Sequence, residues 1–291
     1  HHQENARLEL AQDYFAAGLV DRAERLLLEL VEVGGKYRRD ALAFLCKIYE
    51  QLKDWQRASE IGEQLLKAGD AYAIIMLEHY SCEQAEQRIK QGDFSGARSF
   101  VRRANQFDRR SIRALLILAR IALQEDQFEE VLSIGDRIQQ HHWNWAGTIL
   151  PTYLDSCHRL NQLDRYEAFL LRVLEQGMLP EAALALAEEL EKSEGVTAAA
   201  DFLGKSLIQQ VSLPLITHWM QYVIQQPEHN NSTLLPILKH LHLWCASVIL
   251  HAPLYRCDSC GYSASETFWQ CTQCQQWGQV NPIHQVAEQR M

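Results

Sequence analysis

A period of about 34 residues constrains this chain more than any other feature of it. AQDYFAAGLVDRAERLLLEL (11–30) lies on CKIYEQLKDWQRASEIGEQL (46–65) after a shift of 35 residues, so that Tyr14 meets Tyr49 and Ala23 meets Ala58. QAEQRIKQGDFSGARSFVRRA (84–104) and LARIALQEDQFEEVLSIGDRI (118–138) follow the same plan, and stretches 153–173 and 186–206 follow it more loosely. The equivalents of Ala23 are Ala58, Ala97, Val131, Tyr166 and Ala199, at steps of 35, 39, 34, 35 and 33 residues. Each unit reads as two helices joined by a turn, at Gly18, Lys53, Gly92 and Asp126. A small residue stands before the turn (Ala11, Cys46, Ala85, Ala119) and another after it, which lets the paired helices approach closely. Large apolar residues at Leu10, Leu45, Leu118 and Leu186 are expected to fill the seam to the next unit.

This pattern resembles the tetratricopeptide repeat. The resemblance implies a mainly α fold, a right-handed superhelical solenoid with a concave face. The family's aromatic near the start of the first helix and its closing proline are missing, and Tyr166 stands where a small residue belongs. Residues 1–250 are expected to hold about six to seven helical hairpins. The last of them, over 211–250, is less regular, with breaks around Pro214, Pro227 and NNST (230–233). By the same resemblance, Lys47, Lys90, Arg113, Arg120, His158 and Arg159 face the groove, with Glu50, Glu86 and Asp155 beside them. Such a surface suits an acidic peptide or protein segment; a merely solvated helix face is the other reading. The basic run RSFVRRANQFDRRSIR (98–113) falls on an outer helix and the following turn, where solvation and capping are expected.

The second feature is a cysteine clip. Cys257, Cys260, Cys271 and Cys274 form two Cys-x-x-Cys pairs, the spacing of a tetrahedral four-thiolate site. The other four cysteines (Cys46, Cys82, Cys157, Cys245) are scattered through helical segments and read as buried thiols, usage that fits a reducing, cytosolic setting. With all four positions filled by protein, the site is structural or redox, not a hydrolytic metal centre. Zinc is the expected ion, and iron is accepted by the same ligands.

CDSCGY (257–262) resembles the first knuckle of rubredoxin, while CTQCQ (271–275) lacks that family's proline and following glycine, and the loop between the knuckles is shorter. The net charge is −9, and residues 257–280 contain Asp258 and Glu266 but no Lys or Arg. Nucleic acid is therefore not an expected partner. A module over residues 251–291 is too small to fold on apolar burial alone, so metal supplies its folding energy. Tyr262, Phe268, Trp269 and Trp277 are expected to dock some of its surface on Leu241, Trp244 and Val248 of the last repeat.

No motif calls for catalysis, and a non-enzymatic role is expected. LGKS (203–206) has the ending of a phosphate-binding loop, but Ala199 stands where its first glycine is needed and the stretch falls within a repeat helix. HHWNW (141–145) reads as a loop or helix start with an aromatic anchor. The longest apolar stretch, ALLILARIAL (114–123), is too short for a membrane span. Helical pattern begins within a few residues of His1, which suggests that a longer protein precedes this piece.

YRCDSCGY and FWQCTQCQQWGQVNPI, with LAQDYFAAGLVDRAERLL near the start, resemble the lipopolysaccharide assembly protein B family of Gram-negative bacteria. That resemblance implies an adaptor held at the cytoplasmic side of the inner membrane by an N-terminal helix outside this chain. Its implied partners are a membrane-anchored ATP-dependent protease, the lipid A deacetylase whose level the pair sets, lipopolysaccharide assembly and export proteins, and an inner-membrane regulator. The rival expectation is a rubredoxin-like redox or metal-sensing protein that docks a partner through its repeats.

Overall fold

The computed structural model describes residues 2–226 and 234–284. Among them are fourteen α-helices, one turn of 3-10 helix and three short strands. The helices alternate as first and second members of hairpins: α1 (His2–Ala16) and α2 (Val20–Val33), α3 (Arg38–Leu52) and α4 (Trp55–Lys67), α5 (Ala73–Lys90) and α6 (Phe94–Phe107). Then come α7 (Ile112–Gln124), α8 (Phe128–His141), α9 (Ala146–Leu160), α10 (Leu163–Gln176), α11 (Pro180–Glu194), α12 (Val196–Gln209), α13 (Leu213–Gln225) and α14 (Leu235–Leu250). The chain forms two compact units, His1–Ile121 and Ala122–Met291.

The hairpin turn is the same device each time. Gly18, Lys53, Gly92, Asp126, Asn161 and Gly195 all have positive φ and each ends the first helix of its pair. Just beyond the first five of them a backbone N–H reaches back five residues, as Leu19 to Tyr14 O (2.8 Å), Asp54 to Tyr49 O (2.9 Å) and Gln162 to Cys157 O (2.9 Å). These bonds satisfy the last helical carbonyls and reverse the chain. Asp54 and Asp93 then cap the next helices, accepting from Arg57 N–H and Gly96 N–H. Asn161 and Gly195 extend the series of turns expected from the first four.

The small positions are core. Ala11, Ala23, Cys46, Ala58, Ala85, Ala97, Ala119, Val131 and Ala199 are all buried. So are all four scattered cysteines. Burial pushes the Cys46 thiol up to about 12 and that of Cys157 up to about 11. Of the expected seam residues, Leu45 and Leu186 are buried and Leu118 is half-buried, but Leu10 is exposed. The break expected around Pro214 falls at residues 210–212, between α12 and α13; the proline itself sits in the first turn of α13, where no N–H is needed, behind a Ser212 cap that accepts from Leu215 N–H. Pro227 and residues 230–233 lie outside the described residues.

In the first unit a polar network crosses the core between α5 and α7. Ser111 Oγ accepts from Ala114 N–H (3.0 Å) and donates to Glu78 Oε1 (2.5 Å). Cys82 Sγ lies 3.2 Å from the same oxygen, and His79 Nε2 lies 3.3 Å from Glu78 Oε2. Arg113 Nη1 is 3.3 Å from His79 Nδ1. A guanidinium only donates, so Nδ1 accepts and the imidazole proton sits on Nε2, toward Glu78. Burial raises the Glu78 carboxyl; burial, and then the Arg113 charge, hold His79 well below the ordinary histidine value.

In the second unit Tyr166 is buried in its small-residue position, beside the ring of Tyr153. Tyr153 stacks on Phe169 at 4.2 Å, with Tyr166 at 6.4 Å, and a Cβ on Gly135 would overlap the Tyr153 ring. Gly135→Ala is expected to cost about 1–3 kcal/mol in a denaturant melt despite its better helix propensity. His79 supplies the second expectation. A histidine kept neutral in the fold but free to protonate when unfolded loses stability for the chain as pH falls below about 6.5. Glu78, raised in the fold, has the opposite slope above the ordinary carboxylate range. His79→Gln keeps an acceptor for Arg113 and a donor for Glu78, and should shrink the loss of urea midpoint between about pH 7.5 and pH 5.5.

Candidate metal centre and its docking surface

The two cysteine pairs fold into knuckles of one design. In the first, Cys257 N–H donates to Tyr262 O (2.8 Å) and Gly261 N–H to Cys257 O (2.8 Å). In the second, Cys271 N–H donates to Gln276 O (2.9 Å) and Gln275 N–H to Cys271 O (2.8 Å). The fifth residue of each has positive φ, Gly261 at 78° and Gln275 at 60°. Gln275 thus takes the conformation for which glycine is usual, and its side chain secures the turn by donating to Thr272 O at 2.7 Å. A three-stranded sheet holds the knuckles: β1 (Tyr255–Cys257) lies between β2 (Ser263–Ala264) and β3 (Val280–Pro282), antiparallel to both.

All four Sγ atoms lie within 4.8 Å of one another. Cys257 and Cys274 sulfurs are 3.8 Å apart, and those of Cys260 and Cys271 3.5 Å. A tetrahedron with metal–sulfur bonds of about 2.3 Å has edges of about 3.8 Å, so the set fits one metal ion and is far too wide for disulfides. The Gln276 N–H bond draws the Cys274 thiol down to about 7, while the neighbouring thiols and burial push Cys260 up to about 12, so the four sulfurs share their protons as a set. Cys257 and Cys271 are buried, Cys274 half-buried and Cys260 exposed.

The clip does not dock where the sequence pointed. Trp269 stacks on Trp145 with centroids 5.3 Å apart and planes 15° from parallel, and Tyr255 meets the same indole at 5.9 Å. Trp145 ends the 3-10 turn Trp143–Trp145 between α8 and α9 and is buried. This is the aromatic anchor read in HHWNW. Trp143 is held from behind by the backbone of Gly177, where an added Cβ would come within 2.6 Å of the ring. His284 Nδ1, just past β3, lies 3.5 Å from Glu181 Oε2 on α11. Leu241 and Trp244 remain exposed and Val248 half-buried, a correction with a simple cause. Backbone pairing of Leu254 with Ala264 and Ile283 turns the chain away after α14, and flat indole faces make a better seat than a helix stripe.

The residues expected in a groove have mixed fates. Lys47, Lys90, Arg120, His158 and Arg159 are exposed. Arg120 is paired with Glu86, and Arg159 lies 3.7 Å from Asp155 and over the Phe128 ring. Arg113 is not at the surface: it is 4% exposed, donates to Glu83 at 2.6 Å and belongs to the Glu78 network. Its side chain turns inward to neutralise buried acceptors. In the basic run, Arg103 pairs with Glu63 at 2.7 Å. LGKS is helical, within α12.

Helical hairpins on a 34-residue plan, ending in a two-knuckle thiolate ribbon, define a tetratricopeptide protein with a rubredoxin-type metal module. The family described as "Rubredoxin metal binding domain" matches residues 255–282. Lipopolysaccharide assembly protein B of Haemophilus influenzae is 31% identical over 278 residues, covering 96% of this chain and 69% of that protein. Its namesake in Escherichia coli K12 is 26% identical over 275 residues, covering 94% and 70%. The chain belongs to the lipopolysaccharide assembly protein B family. Among solved structures, YrrB, described as a TPR protein with an unusual peptide-binding site, shares 13% identity at a TM-score of 0.35, over 58% of this chain and 84% of that one.

Trp145→Ala separates docking from metal binding. The variant should keep one metal per chain by elemental analysis, yet lose about 3–5 kcal/mol of packing. Limited proteolysis should then cut the link at residues 251–254 faster than in the parent. An unchanged cleavage rate would mean that Trp145 does not hold the ribbon.

Proposed function

We propose that this chain is a non-enzymatic adaptor in lipopolysaccharide assembly. It links a membrane-anchored ATP-dependent protease to the lipid A deacetylase, so that the deacetylase is degraded, and it also meets assembly and export proteins and an inner-membrane regulator. The observation that carries this reading is the ribbon seated on Trp145 beside α9 and α11, which makes one composite surface out of repeat and metal module. The redundancy of binding faces along a repeat array suits a protein that meets several partners. Residues 1–250 act as the binding array and 251–291 as the metal module. Lys47, Lys90, Arg120, His158 and Arg159 offer the exposed cations for acidic partner segments, with Arg113 holding their scaffold from within. No described helix is long and apolar enough to cross a membrane, so placement at the cytoplasmic side of the inner membrane rests on family membership.

Cys257, Cys260, Cys271 and Cys274 would hold one ion, zinc by this reading, and its contribution is folding energy, on the order of 10 kcal/mol for comparable small sites. The test compares capture from a Gram-negative lysate by the intact chain and by Cys257→Ser/Cys260→Ser, with metal content measured on both. Protease and lipopolysaccharide-pathway proteins should be captured by the intact form only, with a metal that does not cycle. Reversibly cycling iron, with no such partner captured, would move the protein to the redox class.

A further inference from the structure

The face that the ribbon leaves uncovered has a pattern of its own. On α14, Ile237, Leu241, Trp244 and Val248 stand at steps of 4, 3 and 4 residues. That spacing keeps them on one stripe, as in the seam of a paired coiled coil. Ile237 is 55% exposed, Leu241 47% and Trp244 63%. α14 buries only Cys245 fully, although it packs along α13. Repeat arrays usually end on a polar face, because an apolar end seeks another helix. Here the described end is apolar.

We propose that this stripe pairs with the same stripe of a second copy of the chain, the two α14 helices running antiparallel about a two-fold axis. The seam matches itself. With the axis between His242 and Leu243, Leu241 meets Trp244 of the partner subunit, and Ile237 meets Val248 of the partner subunit, each layer occurring twice. The largest side chain thus lies against a medium one in both central layers. Charge favours a copy over a different helix. Partner-specific helix pairs are written in opposite charges beside the seam, whereas the positions flanking this one on its open side are His240 and Ser247. The chain carries a net −9 with 37 acidic residues, so two copies repel over most of their surfaces. Residues 234–257 contain no Asp or Glu and include Lys239, His240, His242, His251 and Arg256. Two copies can meet there without facing carboxylates. The four seam residues span about 17 Å of helix, short for a standard interface, so the pairing is expected to be weak and concentration-dependent.

The experiment is sedimentation equilibrium of the metal-loaded chain at concentrations up to about 100 μM, with two charged variants. The parent should approach twice the mass of one chain. Leu241→Lys and Trp244→Glu should each sediment as monomers, with unchanged helical circular dichroism and one metal per chain. Mixed in equal amounts they should recover a dimer, because the lysine of one then faces the glutamate of the other. Three outcomes overturn the proposal: a parent that stays monomeric throughout, variants that still dimerise, or folded monomeric variants that fail to recover on mixing. A monomeric parent that pellets with phosphatidylglycerol vesicles would assign the stripe to an anionic lipid surface instead.

Discussion

The contact on which the C-terminal half depends is an indole stack. Trp145 receives Trp269 and Tyr255 on its ring, and both come from a ribbon whose strands are only two or three residues long. Such strands cannot hold a shape alone. The knuckles fix the strands, and the strands present the two aromatic faces. The cysteine cluster and the repeat are joined by the same few residues: Tyr255 begins the strand that ends at Cys257, and Trp269 stands two residues before Cys271. A composite surface of this kind is stiff without a large interface, since stacked rings hold orientation as well as distance.

The array meets a different constraint with one repeated solution. Each hairpin must reverse sharply and still let its helices touch, so a left-handed residue ends the first helix and a small residue opens the contact. Four of those turns were evident in the sequence from their spacing. Asn161 fits the same place because its side chain tolerates positive φ, and Gly195 because it has none. A bulky Tyr166 breaks the small-residue rule and is buried beside the Tyr153 ring, and that ring packs against Gly135 in the preceding helix. Such a chain of contacts cannot be read from any one of the three residues.

Charged residues were legible in position and not in fate. Lys47, Lys90, Arg120, His158 and Arg159 are at the surface, as their places in the repeat suggested. Arg113 has the same kind of place and is buried. The difference lies in Glu78, His79 and Glu83, which stand about one repeat earlier and form the acceptors that draw it in. Nothing in the run RSIR tells a solvated arginine from one that bridges a core.

The sequence by itself determined the local matters. Hairpin length, turn positions, the buried small residues and the clustering of the four C-terminal cysteines follow from periodicity and spacing, because bonding within a helix or a knuckle reaches only a few residues. Tertiary structure alone decided which aromatic surfaces meet. Trp145 and Trp244 are both indoles near apolar neighbours, and composition gives either an equal claim on the ribbon. Backbone pairing after α14 aims the ribbon at Trp145, burying that ring and leaving Trp244 exposed. Apolar burial has no direction of its own; the chain's geometry supplies it.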